Sequence, residues 1–151
     1  MRGNRSRNAM DNRFPVEMLL PDGNVIEGII RLSCTGYNHD PLMLELKFMH
    51  RSLDAVAYTV FDALKLLRLQ LEPEGIMLLC NGACENVAYI VYETISRLPE
   101  AIDDLYAYVL QMGERPKMTH QKNMLEYDPA LRLATVQEQE AFYQKWLESL
   151  E

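Results

Sequence analysis

The sequence predicts an α+β fold, an antiparallel or mixed sheet of about five strands with a long helix on one face and a C-terminal helix. Three observations carry this expectation. Two alternating segments, Phe14 to Leu20 and Val25 to Leu32, flank the turn Pro21-Asp22-Gly23-Asn24. The apolar residues Leu53, Val56, Ala57, Val60, Phe61, Leu64, Leu67 and Leu71 recur at helical spacing. The tetrad Thr135-Val136-Gln137-Glu138 is a capping box that opens a last helix.

Each element has its own local cause. In the first hairpin, Pro21 presets φ and Gly23 takes the positive-φ position. Ile26, Gly28, Ile30 and Leu32 form a uniformly apolar or small face, while Val25, Glu27, Ile29 and Arg31 form a mixed one, so one face of the sheet should be better buried. A polar loop, Cys34 to Pro41, leads to a third strand over Leu42 to Met49. The long helix is expected to open at Ser52, with Asp54 in its first turn at the positive end of the helix dipole, and to stop at Pro73 and Gly75. Ile76 to Leu79 is continuously apolar, as in an interior strand. Asn86 to Leu98 fits both periods and is expected to be a helix, whereas Leu105 to Gln111 alternates as a fifth strand. Arg115 to Arg132 should be mainly loop. Trp146 is expected to anchor the last helix, with Val136, Tyr143, Leu147 and Leu150 beside it.

Residues 1–12 are expected to be a disordered leader or expression-tag remnant, because they lack apolar periodicity, and residues 13–151 a single α+β domain large enough for a core of its own. The chain has 15 basic and 22 acidic residues. Setting aside Arg2, Arg5, Arg7, Arg13 and Asp11 leaves 11 basic against 21 acidic, a net charge of −10. Such a body repels phosphate backbones and attracts a basic partner; acidity that serves solubility alone is the plainer alternative. The arginines precede no apolar signal segment, no run reaches membrane length, and three sparse cysteines suit a reducing, cytoplasmic setting.

The apolar run that halts at Cys80-Asn81-Gly82-Ala83-Cys84 is the first place to look for chemistry. Cys80 and Cys84 do not have the spacing of a metal or redox pair, so no metal and no cofactor is expected. Either they fill a strand end, or Cys80 is the nucleophile of a small thiol-dependent hydrolase or transferase with His39 and Asp40 as its partners. The glycines form no phosphate-binding fingerprint. Tyr89, Tyr92, Glu93, Glu100, Asp103, Asp104, Tyr106 and Tyr108 make the densest mixture of acids and tyrosines, a composition suited to a protein-recognition surface; core or rim aromatics are the alternative.

The strand ending in Cys80-Asn81-Gly82-Ala83, together with Thr135-Val136-Gln137-Glu138-Gln139 through Trp146-Leu147-Glu148-Ser149-Leu150, resembles small bacterial proteins, some of the kind that accompany secreted toxins as immunity proteins. The resemblance covers these two short segments and carries over no functional residue. It implies a bacterial, cytoplasmic, non-catalytic protein whose partner is a toxin domain.

Overall fold

The structure, a computed structural model, describes residues 10–35, 40–90 and 104–151. They group into two compact units, Met1–Leu78 and Leu79–Glu151. The fold is α+β, with a five-stranded sheet, a mid-chain helix and a C-terminal helix.

In the first unit, β1 (Met10–Leu19) and β2 (Val25–Cys34) form the expected hairpin, closed by Gly23 at φ 89°. β1 starts earlier than the expected boundary at residue 13. Met10, Asp11 and Asn12 pair with Cys34, Ser33 and Leu32, because a backbone ladder needs no apolar periodicity to continue. β3 (Leu42–Phe48) pairs antiparallel with β2, and β4 (Arg51–Ala57) with β3. The face made of Val16, Met18, Ile30, Leu32, Leu42, Leu44, Leu46 and Phe48 is buried, as the alternation predicts.

β4 corrects the expected helix start at Ser52. The segment pairs strand-wise from Phe48↔Arg51 to Leu42↔Ala57, with Ser52, Asp54 and Val56 exposed in alternation. Met49 and His50, at φ 48° and 63°, are the two central residues of its hairpin turn, a left-handed geometry matched to strand twist but here without the usual Asn or Gly. Arg51 then holds the hairpin base in place, lying 5.0 Å above the Phe48 ring and donating two hydrogen bonds to Glu74 at 2.7 and 2.8 Å. The helix α1 (Val60–Leu71) begins only after Thr59, whose hydroxyl accepts from the Asp62 N–H at 3.0 Å. It lays Val60, Phe61, Leu64, Leu67 and Leu71 against β3 and β4.

A 3-10 turn, Glu72–Glu74, and Gly75 at φ 73° end this helix, as expected, and lead into β5 (Met77–Leu79). The sheet order is β4-β3-β2-β1-β5, so β5 ends the sheet and is not the interior strand its apolarity suggested. Ile76 and Leu78 are buried while Met77 and Leu79 are half-buried. Continuous apolarity reports shielding, and shielding does not require a strand on each side.

The second unit holds a separate antiparallel sheet in the order β6 (Val87–Ala88), β7 (Tyr106–Val109), β8 (Gln121–Asn123). The expected strand at Leu105 to Gln111 is therefore present but belongs to this sheet, and β4 supplies the fifth strand of the first. β6 replaces the start of the helix expected over Asn86 to Leu98, the rest of which lies outside the described residues. β8 falls in the segment expected to be mainly loop. The capping box forms as predicted: Thr135 accepts from the Glu138 N–H at 3.1 Å, and Glu138 accepts from the Thr135 N–H at 2.9 Å. The helix it opens, α2 (Val136–Ser149), buries Trp146 completely among Ala88, Ile90, Tyr108 and Leu110. The indole N–H donates to the carbonyls of Gln111 and Glu114 at 3.0 and 3.1 Å, so this anchor is also fully satisfied.

Candidate functional site

The Cys80 to Cys84 junction is a turn held from two sides. Cys80 is extended, and Asn81–Ala83 makes one 3-10 turn closed by Ala83 N–H to Cys80 C=O at 3.0 Å and Cys84 N–H to Asn81 C=O at 3.1 Å. The Asn81 side chain, in a residue only 4% exposed, uses both ends of its amide. Nδ2 donates to the Asn123 carbonyl at 2.9 Å, and Oδ1 accepts from the Asp128 N–H at 2.8 Å. The backbone N–H groups of Asn81 and Gly82 donate to Glu126 and Met124 at 2.6 and 2.9 Å. From α2, buried Gln139 donates through Nε2 to the Gly82 and Cys84 carbonyls at 2.9 and 2.8 Å. A buried amide in this position fixes its neighbours, because a lost partner would leave a desolvated polar group behind.

The thiols lie inside this frame. Cys80 and Cys84 are both completely buried, and the Cys84 Sγ lies 3.5 Å from the Cys80 carbonyl. Of the partners drawn for a thiol nucleophile, His39 lies outside the described residues. Asp40 belongs to the first unit, where it accepts from the Thr35 hydroxyl at 2.7 Å. A nucleophilic thiolate must meet its substrate, and the Cys80 side chain is shielded from solvent. A soluble aromatic disulfide reagent should accordingly label half-buried Cys34 in the native protein and reach Cys80 and Cys84 only after unfolding, as absorbance at the released thiolate would record.

The loop that Asn81 fixes forms one wall of an open polar cleft of about 410 Å³. Tyr106 on β7, Lys122 on β8, and Glu126, Tyr127 and Asp128 on the following loop line it. Asp128 is tightly held: Oδ1 accepts from the Ala130 N–H at 2.9 Å and Oδ2 faces the Lys122 ammonium at 3.1 Å. The Ala130 N–H first and the Lys122 side chain second keep its carboxyl below the usual carboxylate range. Glu126 and Tyr127 are exposed at the rim. The cleft therefore offers two carboxylates and one phenol ring on a loop positioned by a buried amide, with a second phenol ring on β7.

Only part of the predicted recognition set lies here. Tyr106 lines the cleft. Tyr108 belongs to the core under Trp146, a correction to its expected surface role, and burial, then the neighbouring Tyr89, raises the pKa of its phenol. Tyr89 and Asp104 are half-buried, and Tyr92, Glu93, Glu100 and Asp103 lie outside the described residues. Glu126, Tyr127 and Asp128 escaped the sequence reading because Arg115 to Arg132 lacks a regular period; the run Glu126-Tyr127-Asp128-Pro129, a ring between two acids before a turn-forming proline, was the available signal. Among the described residues no group of three or more His, Cys, Asp or Glu side chains is placed to hold a metal ion, and no helix is long and apolar enough to cross a membrane. Comparison of the chain with known protein families and with curated proteins finds no match.

Proposed function

We propose that this chain is a non-catalytic binding protein of the toxin-immunity type, which acts in the cytoplasm and neutralises a basic toxin domain through the Tyr106, Glu126, Tyr127 and Asp128 cleft. The observation that carries the reading is the cleft that sets Tyr106 on β7 across from Glu126, Tyr127 and Asp128 on a loop fixed by buried Asn81. Rigid rings supply contact area at small entropic cost. An arginine or lysine of the partner would meet Glu126 at the rim and compete with Lys122 for Asp128, which stays ionised. The net charge of −7 supports the same partner chemistry, since long-range attraction speeds encounter with a cationic surface.

The test is titration of the full chain with the C-terminal domain of a secreted toxin encoded beside it. A tight complex whose association rate falls as salt rises is expected. Glu126→Lys and Tyr127→Ala should each weaken it by about tenfold or more, the size of a hot-spot loss, with an unchanged melting temperature. Absence of binding to any such domain would remove the immunity reading, and binding indifferent to both substitutions would remove the cleft.

A further inference from the structure

The face of the first sheet turned away from α1 has a charge order of its own. Strand register places Arg13, Arg31, Glu45 and Asp54 in one row across β1, β2, β3 and β4. Two cations thus stand directly opposite each other, next to two anions that do the same. Glu17 also stands opposite Glu27 on this face. Like charges directly opposed in a sheet are destabilising, so the row costs stability in an isolated unit. Contacts within the row offset part of that cost. Arg31 lies 3.8 Å from Glu45 and donates to the Ser33 hydroxyl at 3.3 Å, while Lys47 lies 4.0 Å from Glu45, which also accepts from the Ser52 hydroxyl at 3.3 Å. Beside the row, Ile29 and Val56 are 38% and 55% exposed, so the face also carries apolar side chains.

We infer that this face is the interface of a homodimer, packed sheet on sheet against a second copy of the chain. A row with its cations at one end and its anions at the other is complementary to itself. A two-fold axis along the strands, midway between two facing sheets, reverses the row, so that Arg13 and Arg31 of one copy meet Asp54 and Glu45 of the other. The same rotation lays Ile29 beside the aliphatic stem of Lys47 from the second copy, and in the next row it sets Met43 opposite Ser33. A basic partner would be repelled at the arginine end and an acidic one at the glutamate end; a copy of the chain satisfies both. Four strands about 4.8 Å apart, with about 7 to 10 residues each, present a face on the order of 500 Å². That is below the roughly 800 Å² per partner of a standard complex, so the dimer should be weak, with dissociation in the micromolar range.

Analytical ultracentrifugation of the full chain should show a monomer–dimer equilibrium whose dissociation constant rises with salt, a readout that needs no variant. The double substitutions Arg13→Glu/Arg31→Glu and Glu45→Lys/Asp54→Lys make the row all-acidic and all-basic. Each should weaken self-association by more than about tenfold, with circular dichroism unchanged, and an equimolar mixture of the two should restore the dimer. A wild-type chain that stays monomeric at all concentrations, leaving the face to some other partner, overturns the inference. So does a dimer that ignores both double substitutions, or a mixture that fails to pair.

Discussion

Replacing Trp146 with alanine is expected to destabilise the protein by about 3–5 kcal/mol, a large fraction of the roughly 5–15 kcal/mol that holds a typical domain folded. Trp146 is completely buried, stacks on Tyr143 with ring centroids 5.9 Å apart, and joins α2 to the β6–β7 side of its sheet. Truncation would leave a cavity and take the donor away from the carbonyls of Gln111 and Glu114. Trp146→Phe keeps one six-membered ring in the core and loses the hydrogen bonds with the rest of the indole, for a smaller cost of about 1–3 kcal/mol. Trp146 is the only tryptophan, so urea unfolding should be followed by far-ultraviolet circular dichroism. Equal losses for alanine and phenylalanine would show that the hydrogen bonds, not the packing, anchor the helix.

Asn81→Ala should cost about 1–3 kcal/mol, because it removes the partner of two part-buried backbone groups at once, which water can replace only in part. These are the Asn123 carbonyl and the Asp128 N–H. The loss should be local as well as global. Hydrogen exchange at residues 124 to 128 should speed up more than at Trp146 and its neighbours, and affinity for a partner should fall although no exposed residue of the cleft has changed. Unaltered exchange over that loop would mean that the backbone bonds from Asn81 and Gly82 to Glu126 and Met124 suffice to hold it.

What could be read from the sequence was what local chemistry encodes. Pro21-Asp22-Gly23-Asn24 specifies its own turn, and Thr135 with Glu138 specifies its own cap, so both appeared where expected. The hairpin at Met49 and His50 was hidden, because neither residue advertises the left-handed conformation that both adopt. With that turn unseen, Ser52 and Asp54 looked like a helix start, whereas the true cap, Thr59 with Asp62, lies one strand later. The Cys80 to Cys84 junction stands out in the sequence for its two thiols. Its asparagine organises the cleft across 42 to 47 residues of sequence, a separation no local pattern records. Tyr106 and Tyr108 sit two apart on one strand, yet one reaches the cleft rim and the other lies under Trp146. Periodicity assigns a residue to a face and cannot say how far along that face the core extends.

The most direct test of the proposed recognition is amide hydrogen exchange of the chain alone and in complex with the cognate basic toxin domain. Protection gained on binding should concentrate at Tyr106, Lys122 and residues 126 to 128, and should be lost together with affinity in Glu126→Lys. Protection confined to other segments, with the cleft amides exchanging as in the free chain, would contradict the account.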